Sequence, residues 1–251
     1  MQLWYSITES ITGSIYIINE RATGKMVNNF KGAIFDMDGT LVDSLMLWNI
    51  IWKKFGDVFL GGKNFLPSET DDKKIRTMTI KDSMYYIHSQ YGIGRSGDEL
   101  FCETNRIMTE FYSSQVKLKD GVAEFLEYCY NNGIKMCIAS ATDINLIKIA
   151  VDHCNIGKYF DNILSCAEIG KGKDQPDIYL KALECLGTKT DETYIFEDSH
   201  VAIETADKLG MKTVGIYDKY NYGQEEMKKI ATVYIEKGET LKKLIDNNCT
   251  K

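Results

Sequence analysis

The chain has 251 residues, of which 44% are hydrophobic and 26% are charged, and its formal net charge at pH 7 is -6. A chain of this size and composition is typical of a globular protein with one substantial core and a smaller module. The negative charge argues against a nucleic-acid-binding surface, which needs clustered Lys and Arg. No apolar run approaches the roughly 20 residues of a membrane-spanning helix. We therefore expect neither a nucleic acid nor a membrane as partner, whereas a small anionic ligand is compatible with this charge.

The seven cysteines are scattered and form no C-x-x-C pair, which favours reduced thiols over disulfides. Residues 1–27 have neither the basic start nor the unbroken apolar stretch of a signal peptide, and we expect a cytoplasmic protein. The alternating segment SIYIIN, residues 14–19, fits either a short additional strand or part of an N-terminal extension of undetermined order. We favour the extension, with Met26 as the effective start.

The first strong strand pattern is KGAIF, residues 31–35, which predicts a buried strand and runs directly into Asp36 and Asp38. Residues i and i+2 of an extended chain point to the same face. Two carboxylates placed in this way repel each other unless one is protonated or a cation lies between them. The cost of placing Asp36 and Asp38 side by side therefore indicates a chemical role for the two carboxylates.

Residues 45–116 have the pattern of helices and loops. Apolar side chains at helical spacing precede Gly56, which predicts a first helix that ends at this glycine. A second helix is predicted over residues 74–91. A third begins after Ser96, which with Glu99 forms a candidate capping box.

Strand and helix patterns alternate after residue 116. The predicted strands are IKMCIAS, NILSC, TYIFED and TVGIYD, at residues 134–140, 162–166, 193–198 and 213–218. Such alternation predicts right-handed crossovers and a parallel sheet with helices on both faces. The chain is thus predicted to be an α/β protein. Its Rossmann-like core comprises residues 28–44 and 117–251, and its inserted α-helical domain comprises residues 45–116.

Polar side chains follow the predicted strands at their carboxyl ends, where sheets of this kind bind ligands. These side chains, with one lysine from the loop GKGKDQPD, are Asp36, Asp38, Ser140, Thr142, Lys173, Glu197 and Asp198. Carboxylate oxygens suit Mg²⁺, which completes its shell with water and substrate phosphate. A cation would relieve the repulsion between the carboxylates and leave Asp36 as an ionised nucleophile toward phosphorus.

This set of motifs resembles the haloacid dehalogenase superfamily, in its phosphatase and phosphomutase branch with a helical cap. The resemblance covers residues 30–220. The four matching motifs, in order, are Asp36-Met37-Asp38-Gly39-Thr40, Ser140, Lys173 before Pro176-Asp177, and Glu197-Asp198. Any one of them would be weak evidence, but four in the right order at strand ends are specific.

The resemblance implies Mg²⁺-dependent hydrolysis of a small-molecule phosphate ester. Asp36 would form an aspartyl phosphate, and Asp38 would protonate the leaving oxygen and later deprotonate water. Lys173 would neutralise charge on Asp36 and on the phosphoryl group. The residues expected to bind phosphate are Thr40, Ser140, Ala141 and Lys173. The residues expected to hold Mg²⁺ are Asp36, Asp38 through its carbonyl, Glu197 and Asp198.

The sequence departs from the family pattern at two places. Asp174 follows Lys173 where the family usually has proline, which adds a negative charge, and Ala202 replaces a usual glycine. Neither departure removes a catalytic group. A non-catalytic binding protein of the same fold is therefore the less favoured interpretation, since no nucleophile, acid or lysine has been lost.

A beta-phosphoglucomutase-like sugar-phosphate mutase is the nearer alternative. As the resemblance implies, such enzymes have a His after the first motif and a cap Arg that grips a distal phosphate. In an ungapped alignment these positions fall on Trp48 and Ile80, with Arg76 as the nearest cap cation. These three residues are the candidates for substrate specificity, and we expect hydrolysis rather than isomerisation. The sequence indicates neither the substrate nor the oligomeric state.

Overall fold

The computed structural model describes residues 6–9, 15–18, 30–76 and 78–249. Near the start of the chain, β1 (Ser6–Glu9) and β2 (Ile15–Ile18) form an antiparallel pair separate from the main sheet. Of the two interpretations of residues 14–19, the structure therefore contains the strand, which we did not favour. Met26 lies outside the described residues, and the extent of an N-terminal extension stays a prediction.

The main sheet has six parallel strands in the order β5-β4-β3-β6-β7-β8. They are β3 (Gly32–Phe35), β4 (Lys135–Ser140), β5 (Asn162–Ser165), β6 (Thr193–Glu197), β7 (Lys212–Ile216) and β8 (Val233–Ile235). The α/β class and the parallel sheet predicted from the sequence are confirmed. The short β8, which follows the last predicted strand, was not predicted.

In the described part of the chain, four helices lie between β3 and residue 116. They are α1 (Leu47–Phe59), α2 (Glu69–Ile75), α3 (Ile80–Tyr91) and α4 (Gly97–Ser114). The helices after residue 116 are α5 (Val122–Asn131), α6 (Ile144–His153), α7 (Cys166–Ile169), α8 (Asp177–Leu186), α9 (His200–Lys208), α10 (Gln224–Ile230) and α11 (Lys242–Cys249). No helix in the described ranges is both long and apolar enough to cross a membrane.

Alternate residues of the central strands face opposite sides of the sheet. Ile34 and Ile195 pack with α8 and α9 in one apolar cluster. Phe35 and Phe196 face the other side, where their rings stack with centroids 4.4 Å apart in a cluster that continues into α5, α6 and the helices before residue 116. Because both faces are covered, β3 and β6 are apolar along their length and buried.

The prediction that the first helix ends at Gly56 is wrong. The helix α1 continues to Phe59, and Gly56 is buried within it. A Cβ atom at Gly56 would lie 2.1 Å from the carbonyl oxygen of Lys63. Glycine is required here because the following loop packs directly on the helix backbone. In the sequence, a glycine needed for such packing looks the same as a glycine that ends a helix.

The predicted helix over residues 74–91 is two helices, α2 and α3. The side chain of Thr79 accepts a hydrogen bond from the backbone N–H of Asp82 and so begins α3. The capping residue predicted for the third helix is confirmed, because Ser96 accepts a hydrogen bond from the N–H of Glu99 at the start of α4.

Two chain segments connect the helices α1–α4 to the sheet, and they pair with each other. The N–H of Asp43 donates to the carbonyl of Lys117 at 2.9 Å, and the N–H of Lys119 donates to the carbonyl of Leu41 at 2.9 Å. Val42 forms an antiparallel bridge with Leu118 between these bonds. We call this pairing of residues 41–43 with residues 117–119 the connecting ribbon.

We predict that Trp52→Ala lowers the free energy of unfolding by about 3–5 kcal/mol. Trp52 is 1% exposed, and its ring lies 5.4 Å from that of Trp48 and 5.7 Å from that of Phe55. Urea denaturation would measure the loss. The control is Val58→Ala on the same helix, where the side chain is 55% exposed and the change should stay within about 0.5 kcal/mol. Equal losses in both variants would contradict the packing described here.

Candidate active site

The register of the three central strands brings their carboxyl ends together. Phe35 of β3 lies opposite Ile138 of β4 and Phe196 of β6. The residues that follow, Asp36 and Glu197, are therefore neighbours at one edge of the sheet, although 161 positions separate them in the chain. Ser140 is the last residue of the adjacent strand β4, and its side chain is buried at the same edge of the sheet.

A cluster of three carboxylates occupies this edge. Asp36, Glu197 and Asp198 are buried, and each offers an oxygen within 4.8 Å of the others. Lys173, from the loop between α7 and α8, donates to Oδ1 of Asp36 at 2.5 Å and also to Oε1 of Glu197. The ammonium group of Lys173 thus offsets part of the negative charge of the cluster. Asp174, the additional charge of this loop, is exposed and accepts a hydrogen bond from Gln175.

The pKa values of the cluster show how strongly burial acts on it. Burial raises the pKa of Asp36 well above its usual 3.8, and the charge of Lys173 offsets this only in part. Burial and the charge of Glu197 raise the pKa of Asp198 to about 7. Burial acts to lower the pKa of Lys173, but the charges of Asp36 and Glu197 outweigh it and hold that pKa well above 10.5. The protein itself therefore supplies too little positive charge for all three carboxylates.

This donor set fits a divalent cation. Buried carboxylate oxygens are the ligands that hard cations such as Mg²⁺ prefer. The pKa values of Asp36 and Asp198 are raised, first by burial and then by neighbouring carboxylates, so a cation at this edge would favour their ionised forms. Asp36, Glu197 and Asp198 are the residues that could hold such an ion. The carboxylate of Asp38 lies outside this group, so its expected contact through the backbone carbonyl stays a prediction.

Asp198 is held by side chains from two loops. Asn221 donates to its Oδ2 at 2.7 Å and to its backbone carbonyl at 2.9 Å. Thr40, expected to bind phosphate, donates its hydroxyl to Oδ1 of Asp198 at 3.3 Å. Gly39 has φ of +81°, and a Cβ atom there would lie 2.4 Å from Oδ2 of Asp198. The first motif needs glycine for both reasons.

The carboxylate of Asp38 accepts hydrogen bonds from three hydroxyl groups. Ser44 and Tyr112 each donate to Oδ1 at 2.6 Å, and Thr142 donates to Oδ2 at 2.8 Å. Burial, together with the charge of Asp38, raises the pKa of Tyr112 well above 10, so this phenol stays a donor. Thr142 follows β4 after Ser140 and Ala141, and Ser140 in turn accepts a hydrogen bond from the N–H of Thr142.

Lys119 is a site residue that the sequence motifs did not indicate. Its ammonium group donates to the carbonyl of Gly39 at 2.7 Å, to that of Tyr217 at 3.3 Å and to Oδ2 of Asp218 at 2.9 Å. Its charge also acts to lower the pKa of Asp198. Lys119 and Asn221 contact the motif loops through long side chains from distant positions, and a sequence pattern contains no signal for such contacts.

Of the three candidates for specificity, Trp48 lies in α1, Arg76 ends α2 and Ile80 begins α3. The Nε of Arg76 donates to Oδ2 of Asp72 at 2.8 Å, and the guanidinium carbon lies 5.9 Å from the Trp48 ring centroid and 5.7 Å from that of Tyr222. The hydroxyl of Tyr222 donates to the same oxygen of Asp72 at 3.0 Å. A cavity of about 370 Å³ adjoins Arg76 and Tyr222. The structure thus brings Trp48 and Arg76 together, and Ile80 packs against the same apolar cluster as Trp48.

The chain is similar in sequence to proteins of one family. The family model described as Haloacid dehalogenase-like hydrolase matches residues 33–216. The "Phosphorylated carbohydrates phosphatase" of Thermotoga maritima is 25% identical over 84% of this chain and 96% of its own length. "Protein CbbY" of Rhodobacter capsulatus is 28% identical over 78% of this chain and 88% of its own.

Solved structures share the fold. The crystal structure of "HAD hydrolase, family IA, variant 3" from Entamoeba histolytica superposes with a TM-score of 0.69 at 24% identity. The superposition covers 86% of this chain and 98% of that one. At this identity the likeness supports the fold alone.

We predict that the metal-free protein loses stability as the pH rises from about 5 to about 7. The folded state keeps the proton of Asp198 up to a pKa of about 7, whereas the unfolded chain releases it near 3.8. Between these values the folded state binds more protons, so the free energy of unfolding falls with rising pH. Urea denaturation in EDTA would measure this fall.

Added Mg²⁺ should restore the stability more at the upper end of this range than at the lower end, because protons compete with the cation at low pH. The control variant is Asp198→Asn, in which the dependence on pH and the response to Mg²⁺ should both be smaller. A stability that rises over this range, or that ignores Mg²⁺ near its upper end, would contradict the proposed cation site.

Proposed function

Because the chain belongs to the family of haloacid dehalogenase-like hydrolases, we propose that it hydrolyses a small phosphate monoester with Mg²⁺ and through an aspartyl phosphate on Asp36. The family and the enzyme class, a phosphoric monoester hydrolase, are confirmed by the family model and by the relative named as a phosphatase of phosphorylated carbohydrates. The observation that carries the proposed mechanism is the buried ion pair of Lys173 with Asp36, inside a cluster of three carboxylates.

In the proposed reaction, a carboxylate oxygen of Asp36 attacks phosphorus while Asp38 gives a proton to the leaving oxygen. Asp38 then takes a proton from the water that attacks the aspartyl phosphate. Lys173 stabilises the negative charge that develops on the phosphoryl oxygens. Thr40, Ser140 and Ala141, at the ends of β3 and β4, are proposed to bind those oxygens.

Mg²⁺ held by Asp36, Glu197, Asp198 and the carbonyl of Asp38 would supply the positive charge that the carboxylates and the phosphate need. The fit of the cation rests on three observations: the donor set, its burial and the raised pKa values. Without such an ion the raised pKa of Asp36 disfavours the ionised form that the reaction requires. An all-oxygen donor set disfavours softer cations such as Zn²⁺ and Cu²⁺. We propose Mg²⁺ among the hard cations because it is usually held by a few carboxylates together with water and substrate phosphate.

We further propose that residues 45–116 form a cap over a core of residues 28–44 and 117–251. The helices α1–α4 are inserted directly after the first motif, and Tyr222 of a core loop donates to Asp72 of α2. A cap in this position would exclude water until the phosphoenzyme has formed. Trp48 and Arg76 would then face the leaving group. The buried, unpaired thiols Cys129, Cys137 and Cys166 fit a reducing compartment, and we propose the cytoplasm.

Hydrolysis is favoured over a mutase activity by the state of Arg76. A mutase needs a cap cation that grips a second phosphate, and Arg76 is the nearest candidate. The guanidinium of Arg76 is already paired with Asp72, and both side chains are less than one fifth exposed. An arginine committed in this way offers less charge to a distal phosphate.

We predict that Asp36→Asn lowers turnover of an aryl phosphate by about a thousandfold or more, because an amide is a poor nucleophile. Assays with p-nitrophenyl phosphate and Mg²⁺ would measure the loss. Acid quenching of the wild-type enzyme during turnover should trap a phosphoryl adduct labile to hydroxylamine, which the variant lacks. The control is Asp43→Asn, an exposed carboxylate of the same loop, which should keep its activity. Near-wild-type turnover by Asp36→Asn would refute the mechanism.

We also predict that incubation with beta-glucose 1-phosphate and a trace of glucose 1,6-bisphosphate releases inorganic phosphate faster than it yields glucose 6-phosphate. The reason is that Arg76, the nearest candidate for gripping the distal phosphate, is already paired with Asp72, so the phosphoryl group of Asp36 passes to water. Phosphorus NMR would follow both products. Accumulation of glucose 6-phosphate ahead of phosphate would establish the mutase instead.

A further inference from the structure

Tyr112 places a buried hydroxyl on the carboxylate of Asp38 from outside the four motifs. It lies in α4, the last of the inserted helices, and its side chain is 1% exposed. Its ring packs on that of Phe111 with centroids 5.6 Å apart. Since the proposed acid and base is Asp38, this contact joins the inserted helices directly to the group that moves the proton.

We propose that Tyr112 is a positioning residue that, with Ser44, makes Oδ2 of Asp38 the oxygen that gives and takes the proton. The inference rests on the proposed role of Asp38 in hydrolysis. Beyond that role, it identifies the oxygen of Asp38 that transfers the proton and the residue that determines this choice.

The selection follows from the number of hydrogen bonds that each oxygen can accept. A carboxylate oxygen has about two acceptor positions. Tyr112 and Ser44 both donate to Oδ1, at 2.6 Å each, and so fill both positions of that oxygen. Oδ2 accepts only from Thr142, at 2.8 Å, and one of its positions stays open for a proton.

The same arrangement serves both protonation states. When Asp38 is a neutral acid with its proton on Oδ2, Oδ1 is the carbonyl oxygen and still accepts both hydroxyl donors. In the first step the bond from phosphorus to the leaving oxygen breaks, a bond from phosphorus to Asp36 forms, and the proton of Oδ2 moves to the leaving oxygen. In the second step the oxygen of the attacking water bonds to phosphorus while Oδ2 takes a proton from that water. The bond from phosphorus to Asp36 breaks, which releases phosphate and restores the carboxylate of Asp36.

The test compares two substrates that differ in their need for the acid. An alkyl phosphate leaves as a basic alkoxide and needs the proton of Asp38, whereas 2,4-dinitrophenyl phosphate leaves as a stable anion without it. The alkyl substrate is whichever of glycerol phosphate, ribose 5-phosphate and glucose 6-phosphate the wild-type enzyme hydrolyses fastest. We measure kcat/KM because it reports the step in which the ester bond breaks.

Tyr112→Phe should lower kcat/KM for the alkyl phosphate by about tenfold or more and for dinitrophenyl phosphate by less than about threefold. A residue that only supports the fold would lower both values by the same factor. Equal losses, or no loss with either substrate, would overturn the inference. Thermal denaturation of the variant shows that the protein measured is folded.

Two further variants complete the design. Tyr91→Phe removes a hydroxyl that donates to Asp71 at 2.5 Å within the same block of helices, and it should leave both values near those of the wild type. Ser44→Ala removes the other donor to Oδ1 and should reproduce the selective loss, which keeps the inference testable if Tyr112→Phe does not fold. A loss of the same size on both substrates in Ser44→Ala would also overturn it.

Asp38→Asn separates this inference from the proposed function. If Asp38 is the acid, its variant shows the largest selective loss, whatever Tyr112→Phe does. If Asp38→Asn lowers kcat/KM by the same factor for both substrates, Asp38 is not the acid of the proposed function, and the inference fails with it. A selective loss in Asp38→Asn without one in Tyr112→Phe overturns the inference alone.

Discussion

The buried ammonium group of Lys173 is the charge on which the rest of the candidate site depends. Three carboxylates share one sheet edge, and burial raises the pKa of two of them, Asp36 and Asp198. Lys173 contacts two of them, Asp36 and Glu197, and supplies part of the missing positive charge. A buried pair of this kind contributes little to stability compared with its desolvation cost. It is therefore better understood as a functional arrangement that the surrounding sheet and helices support.

The sheet and the acid cluster were predictable because their signals are local. A buried parallel strand appears in the sequence as a short apolar run. The residue after this run lies at the ligand-binding edge of the sheet, independently of the conformation of the loops. This reasoning placed Asp36, Glu197 and Asp198 at one edge. It failed at Gly56, where a close backbone approach has the same sequence signature as a helix end. It also missed Tyr112, Lys119 and Asn221, whose contacts arise only when distant segments pack together.

The acid cluster and Asp38 are held in place by different parts of the structure. The carboxylates of the acid cluster are fixed by the sheet and by side chains from core loops, such as Asn221 on Asp198. Asp38 is instead held by hydroxyl groups from three separate segments, one of them in the inserted helices. The residues proposed as nucleophile and cation ligands are therefore supported by the sheet and by the loops at its edge. The group proposed to move protons is connected to the part that is inserted.

The connecting ribbon constrains how the inserted helices can move. Its two segments are joined by backbone hydrogen bonds at Asp43 and Lys119, and the Lys119 side chain fastens the ribbon to the loop of Gly39. A sliding of one segment past the other would break these bonds, so both segments must bend together. Any movement of the helices α1–α4 relative to the sheet would therefore act on both segments at once. Through Ser44 and Tyr112 such a movement would also act on the two hydrogen bonds that Oδ1 of Asp38 accepts.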